Sequence, residues 1–253
     1  MRADQLLVAR GLAGSRTLAQ RLIAAGRVRA GAAPVRKASD ALDAHAPLAL
    51  APGDEDRYVS RGGLKLAGAL AASGFDPAGL HCLDVGQSTG GFTDCLLQAG
   101  AARVVGIDVG HGQLHPRLRN HPRVTAIEGV NARAVDPAAL AALAPGAAFG
   151  LVVVDVSFIS LALVLPALAR LAAPHATLIA LVKPQFEVGR SGLDRHGIVR
   201  DPSLYAEVRA RTEQAAAACG WRPRQWFDSP IAGGDGNREF FVVAGFNPTG
   251  SRG

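Results

Sequence analysis

Hydrophobic positions recur along this chain with two different periods, and the change between them divides it. Over residues 16 to 25, Leu18, Leu22 and Ile23 fall on one side of a 3.6-residue period, with Arg16, Gln20 and Arg21 opposite. Ser15 precedes that run as an N-cap whose hydroxyl can accept a first-turn amide, and Gly26 stands where such a helix ends. Val28 between Arg27 and Arg29, followed by Gly31 to Pro34 before Val35, predicts a short strand and a hairpin turn. The stretch APGDEDRYVSRGG then interrupts the pattern with proline, glycine and acids. Beyond it, apolar runs alternate with helix-like segments, predicting strands at 80–85, 103–108, 123–127, 151–155, 176–182, 223–228 and 240–246.

That alternation predicts a doubly wound α/β sheet, the last two strands forming an antiparallel edge. The expected organisation is a small basic domain at 1–52, a linker at 53–60, the large domain at 61–247 and a disordered tail at 248–253. The longest apolar stretch, VSFISLALVLPALARLAAPHATLIALV, is broken by Pro166, Arg170 and His175. It falls short of the roughly 18 uninterrupted residues of a spanning helix and reads as a core helix followed by a buried strand.

Charge adds to this picture. Residues 1 to 39 hold eight basic residues against the single acid Asp4, a local charge of +7, while the rest of the chain stands at −1. A basic block on a short module fits a polyanion partner, because each phosphate neutralised releases counterions. A solvated arginine-rich face is the alternative from charge alone. Cys82, Cys95 and Cys219 lie far apart with no zinc-ligand spacing, so neither disulfides nor a metal site is expected. The opening MRADQLLVARG lacks an apolar core and does not read as a secretory signal, and a cytoplasmic location is expected.

The chemistry concentrates in LDVGQSTGGFTD, residues 83 to 94. Glycines after a first strand let the backbone turn tightly and approach a ligand, and the helix that follows offers free amides. Asp108 closes the next strand 22 residues after Gly86, where an acid can bridge the hydroxyls of a ribose. A dinucleotide is the runner-up, but G-x-G-x-x-G is absent, since Gly86 is followed by Gly90 and Gly91. Asp84 would face a pyrophosphate unfavourably, whereas it could reach an amino-acid ammonium directly or through water. S-adenosyl-L-methionine carries both that ammonium and a ribose. Four further residues sit at strand ends or beside them: Asp155 in VVVDVSFIS, Lys183 in LVKPQFEVG, Glu239 in GNREFFVV, and Lys65 in RGGLKLAGAL. Singly each has a structural explanation; together, lysines near carboxylates in a cleft are where proton chemistry is tuned.

Residues 2 to 51 resemble the RNA-binding domain first described in the fourth small-subunit ribosomal protein, which lays arginine-bearing helices on structured RNA. The resemblance implies that Arg10, Arg16, Arg21, Arg27 and Lys37 contact RNA. Lys65, Asp155, Lys183 and Glu239 match the Lys-Asp-Lys-Glu tetrad of ribose 2′-O-methyltransferases of the FtsJ type. The segments SRGGLKL, LDVGQSTGGFTD, DVGHGQL, VVVDVSFISL, LVKPQFEVGR, GIVRDP and GNREF make nearly the whole chain similar to the hemolysin A (TlyA) family.

That resemblance implies a Rossmann-like methyltransferase sheet of seven mostly parallel strands behind a small α+β RNA-binding domain. It implies methyl transfer from S-adenosyl-L-methionine to a ribose 2′-hydroxyl, by analogy on a cytidine of ribosomal RNA, without a metal. Asp84, Gly86, Ser88, Thr89, Gly90, Gly91, Asp108, Glu128, Asn131 and Asp155 would surround the cofactor. Lys183, its ammonium weakened by desolvation, would accept the proton, with Asp155 steadying it and Lys65 and Glu239 orienting the ribose. Gln87, His111, Gly129 and the LDRHG turn at 193–197 depart from the family pattern around the site. A non-catalytic ribosome-binding factor and a membrane-active hemolysin remain the other classes; the latter lacks a strongly amphipathic basic helix outside the first module.

Overall fold

The computed structural model describes residues 1–51, 53, 57–143, 148–233 and 236–247. The expected tail at 248–253 lies outside the described residues, as do residues 54–56 of the expected linker. The chain divides into two compact units, Met1–Arg57 and Tyr58–Gly253.

In the first unit, helices α1 (Ala3–Ala9) and α2 (Arg16–Ala24) accompany a three-stranded antiparallel sheet of β1 (Val28–Ala30), β2 (Ala33–Pro34) and β3 (Leu48–Leu50), ordered β2-β1-β3. Ser15 caps α2 by accepting the Leu18 amide at 3.2 Å. The buried stripe of α2 is Ala19, Leu22 and Ile23, and Leu18 points outward with 38% of its surface exposed. Ala19 lies one turn before both Leu22 and Ile23, so the seam runs through it and rotates Leu18 away. Helix α1 and strand β3 were not legible, being too short to show a period.

A second departure concerns Arg16 and Gln20. Both reach Asp4 Oδ2, at 3.0 and 3.1 Å, while Arg2 donates to both oxygens of the same carboxylate and the Gln5 amide donates to Oδ1. Asp4 is fully buried. The polar side of α2 therefore clasps α1 through one acid, and hydrogen bonds hold its carboxyl far below the usual range, from Arg2 first, then from Gln20 and Arg16.

In the second unit, seven strands follow α3 (Gly62–Ser73): β4 (His81–Val85), β5 (Arg103–Asp108), β6 (Val124–Glu128), β7 (Phe149–Val154), β8 (Ala172–Val182), β9 (Trp221–Asp228) and β10 (Phe240–Phe246). Between them run α4 (Gly91–Gln98), α5 (Pro116–Arg119), α6 (Pro137–Leu143), α7 (Leu165–Ala169) and α8 (Leu204–Ala218). The order is β6-β5-β4-β7-β8-β10-β9, or 3-2-1-4-5-7-6 counted within the sheet. Strands β4 to β8 pair in parallel and β10 is antiparallel to both its neighbours. The antiparallel edge thus comes from β10 alone, inserted between β8 and β9. Apolar side chains from the two faces form separate cores, one around Leu83, Val152 and Leu165, the other around Leu66, Leu96 and Phe241.

The expected core helix is shorter than its apolar run and the strand longer. Pro166, which lacks an amide to continue a helix, sits in the first turn of the five-residue α7, and Leu161–Leu163 ahead of it makes a separate 3-10 turn. Among the described residues no helix is long and apolar enough to cross a membrane.

Candidate active site

Parallel strands ending side by side place the loops after β4, β5, β7 and β8 along one edge of the sheet, where ligands of such folds bind. After β4 the chain turns through Gly86 at φ +85°, and a Cβ there would lie 2.4 Å from the Asp155 carbonyl oxygen. Only glycine allows this approach, which closes the loop onto the end of β7. Beside it lies a cavity of about 860 Å³ lined by Gly86, Ser88, Asp108, Asn131 and Asp155, with Gln113, Ser157 and Phe158 among the others. Asp108 is held by two amides, Ser88 N to Oδ2 at 2.8 Å and Gly110 N to Oδ1 at 2.7 Å, so a carboxylate stands fixed at the mouth of β5. Pockets of this size accept drug-sized or nucleoside ligands.

Five of the ten expected cofactor residues line this cavity: Gly86, Ser88, Asp108, Asn131 and Asp155. Thr89, Gly90, Gly91, Glu128 and Asp84 do not. A Cβ on Gly91 would lie 2.8 Å from the Gly63 amide and 2.3 Å from Ser60 Oγ, so this glycine lets α4 pack closely on the start of α3. It thereby helps to seat the helix that carries Lys65. Glu128 accepts the Gly112 amide at 2.8 Å and lies 3.8 Å from His111, fastening the loop after β5.

Asp84 sits wholly buried behind the glycine loop. Its Oδ2 accepts the Thr93 hydroxyl at 2.6 Å, and Thr93 in turn accepts from Gln87 Nε2 at 2.9 Å, while Asp84 Oδ1 has no partner. Burial pushes its carboxyl up to about 7, against the Thr93 hydrogen bond and assisted by the charge of Asp155. Gln87 therefore serves the interior of the loop, its amide filling the space over Gly106.

The four expected catalytic residues form two ion pairs. Lys65 Nζ meets Glu239 Oε2 at 2.5 Å, both nearly buried, and Lys183 Nζ meets Asp155 Oδ1 at 2.7 Å. Topology explains the gathering: Asp155 and Lys183 follow the neighbouring strands β7 and β8, and Glu239 precedes β10, whose Phe240 pairs with Val182. The Lys183–Asp155 contact is ionic in distance, but its angle is not that of a hydrogen bond, which leaves Asp155 Oδ1 without one. The ammonium instead donates to Ser157 Oγ, also at 2.7 Å.

Ser157 is a site residue that the sequence reading missed, and Phe158 is another. Phe158 adopts φ +63°, is 91% exposed at the cavity wall and lies 5.1 Å from the Phe186 ring. A bulky residue held in the left-handed region is backbone strain of the kind that clusters at ligand sites, and here it turns an aromatic ring to water at the cavity wall. Glu187 clamps the two loops together, accepting Ser160 Oγ at 2.6 Å and the Leu161 amide at 2.8 Å. The signal available in sequence was the pair of polar residues in VSFIS following the apolar strand.

Of the expected RNA contacts in the first unit, Arg21 and Lys37 are exposed, and Arg10, also exposed, donates to the Ala44 carbonyl at 2.6 Å. Arg27 is only 9% exposed and its Nε donates to the Ala51 carbonyl, which makes it a fastening of β3. Arg16 divides itself between Asp4 and solvent, with 55% of its side chain exposed.

A Rossmann-like sheet with one reversed strand, a glycine loop and a fixed acid at the second strand end define an α/β protein built around a nucleoside-type ligand. Residues 58–246 match the family model described as FtsJ-like methyltransferase, and residues 1–46 that of the S4 domain. The chain belongs to the FtsJ-like methyltransferase family and carries an S4 domain ahead of the matched region. A relative in Mycobacterium tuberculosis, named 16S/23S rRNA (cytidine-2'-O)-methyltransferase TlyA, is 46% identical over 95% of this chain and 88% of its own length. Hemolysin A of Brachyspira hyodysenteriae is 35% identical, covering 96% and 98%. A solved structure described as "Putative hemolysin from Streptococcus thermophilus" has a TM-score of 0.76 and 38% identity, covering 100% of this chain and 91% of that one.

Proposed function

We propose that this protein transfers a methyl group from S-adenosyl-L-methionine to the ribose 2′-hydroxyl of a cytidine in ribosomal RNA, with ribosomal subunits as its partner in the cytoplasm. The observation that carries this reading is the pairing of Lys183 with Asp155, which lines a cavity of nucleoside size, with the Lys65–Glu239 pair at the end of β10 that neighbours Lys183. The activity named for the Mycobacterium tuberculosis relative supports it.

The residues present suit the cofactor. Asp108 would take the ribose hydroxyls, Ser88 and Asn131 the polar edge of the ligand, and Gly86 leaves the floor open. Asp84 would act from behind the loop, through Thr93 and Gln87. The cofactor supplies a methyl group on a sulfonium, an electrophile that needs no metal to activate it. Lys183, once its ammonium has released a proton to solvent, would accept the proton of the attacking hydroxyl as a neutral amine, Ser157 aiming that amine and Asp155 balancing the ammonium that re-forms. Lys65 and Glu239 would hold the ribose in line, and such alignment of two bound partners supplies much of the acceleration. Arg10, Arg21, Lys37 and the free side of Arg16 would draw the RNA to the first unit.

Methyl transfer from radiolabelled cofactor to purified small and large ribosomal subunits tests the proposal, with product nucleosides identified by mass spectrometry. The expected product is 2′-O-methylcytidine, and Lys183→Ala abolishes it while cofactor affinity stays within a few-fold. No label in either subunit, from protein shown to bind cofactor, overturns the reading.

A further inference from the structure

Residues 192–200 form a tight hairpin between Lys183 and α8. Leu193 and Val199 bridge antiparallel, the Arg200 amide donates to the Gly192 carbonyl at 3.1 Å, and the Asp194 amide donates to the Ile198 carbonyl at 2.8 Å. Asp194 Oδ1 accepts the His196 and Ile198 amides at 2.8 and 2.9 Å, so the acid of this hairpin is used inside its own turn. Asp201 likewise accepts the Ser203 amide at 2.8 Å. Arg195 and Arg200 are exposed and, among the described residues, neither lies within ion-pair distance of a carboxylate, although the Asp194 carboxyl, held below its usual range first by the Ile198 amide, is helped there by the charge of Arg200. The guanidinium of Arg195 is steadied at the tip by donating Nε to His196 Nε2 at 3.0 Å.

One buried side chain ties this hairpin to the site. Asn237, 2% exposed, accepts the Val199 amide on Oδ1 at 3.2 Å and donates Nδ2 to the Gly197 carbonyl at 3.0 Å. It stands two residues before Glu239, which is paired with Lys65. Both hydrogen-bonding ends of its amide are thus spent on holding the hairpin at the edge of the sheet where Lys183 and Glu239 lie. A solvated loop would need neither so rigid a turn nor a buried anchor.

We infer that the 192–200 hairpin is a phosphate-gripping surface of the catalytic unit. Arg195 and Arg200 engage RNA backbone flanking the reacting ribose, and Asn237 is the positioning residue that sets their register to Glu239. The inference rests on the reading of the substrate as RNA. A ribose in a strand lies between two phosphates, and cations carried on a hairpin anchored next to Glu239 hold the strand where a free loop would only attract it.

The test measures binding to deproteinised ribosomal RNA by filter retention across a salt series, alongside methylation kinetics, using the full-length protein. Arg195→Ala with Arg200→Ala is expected to weaken RNA binding about tenfold near physiological salt and to reduce the slope of log affinity on log salt by roughly one to two. KM for RNA rises correspondingly, kcat stays within about threefold, and cofactor affinity measured by calorimetry is unchanged. Arg195→Lys, which keeps the charge, restores most of the binding. Asn237→Ala raises KM for RNA in the same way with both arginines intact. An unchanged salt slope in the double variant overturns the inference. So does a defect seen with assembled subunits but not with naked RNA, which assigns the hairpin to a ribosomal protein. RNA binding that depends on the hairpin without any methyl transfer by the wild type separates the two readings: the reaction then fails and the surface stands.

Discussion

Two aspartates, one in each unit, are equally hidden from water and end in opposite states. Asp4 receives donors from Arg2, Arg16, Gln20 and the Gln5 amide. Asp84 has the Thr93 hydroxyl and one oxygen with no partner. The first carboxyl is held far below its usual range by hydrogen bonds from Arg2, Gln20 and Arg16, and the second is pushed up to about 7 by burial that one hydroxyl does not offset. What decides is the number and charge of donors brought to the buried acid. The first unit uses its acid to build a small domain, and the second keeps an underserved acid beneath a ligand loop, where compensation is incomplete at the expense of stability.

The sharpest way to break this contrast is to remove Asp4. Asp4→Ala leaves Arg2, Arg16 and Gln20 without their common partner, and the first unit is expected to lose cooperative folding, seen as rapid limited proteolysis of residues 1–57 while the second unit persists. Next comes Asp84→Asn. The carboxyl of Asp84 titrates near 4 when unfolded and at about 7 when folded, so the folded form binds the extra proton between those values. Stability of the second unit therefore falls as pH rises from about 4 to 7, by on the order of 4 kcal/mol, and is flat above. Asn abolishes that slope. Trp221 and Trp226, the chain's two tryptophans, both lie in the second unit, so their fluorescence during denaturant unfolding reports that unit, and the difference between wild type and Asp84→Asn isolates this titration. Asp4 gives the opposite sign: its stabilisation is complete above about pH 4 and is lost on acidification below it.

Smaller effects sharpen the comparison. Arg21→Ala is expected to lower the salt slope of RNA binding by close to one log unit without moving the stability of the first unit. Arg16→Ala also lowers that unit's melting temperature, because this guanidinium serves Asp4 as well. The smallest change belongs to Ser157→Ala, which removes the hydroxyl accepting from Lys183. Losing one such bond lowers kcat by roughly two- to tenfold with cofactor affinity retained, read in single-turnover methylation.

Much of the fold was legible because periodicity reports burial. The seven strands of the large sheet lie where apolar runs fall, and the Ser15 cap and a turn at 31–32 follow from local chemistry, although Ala33 and Pro34 of the expected turn belong to β2. Short elements escaped: α1 and β3 carry too few residues to display a period. Ser157 escaped as well, because a serine after an aspartate looks the same whether it faces water or a lysine 26 residues on. Asn237 was visible within GNREF, yet its partners at 197 and 199 are nearly forty residues away and have no sequence signal.

The sequence by itself determined the two-part plan, the alternation that makes a wound sheet, the basic first module and the identity of the lysines and carboxylates at strand ends. Each follows from local propensity, spacing or composition, quantities a chain carries before it folds. Only the tertiary structure decided which lysine meets which carboxylate, that Gly91 serves helix packing while Gly86 serves the cavity, that Arg27 is a fastening, and that Asp84 lies behind the loop. These depend on strand order and on β10 entering between β8 and β9. Partner choice is a matter of distance in space, and the sheet sets that distance.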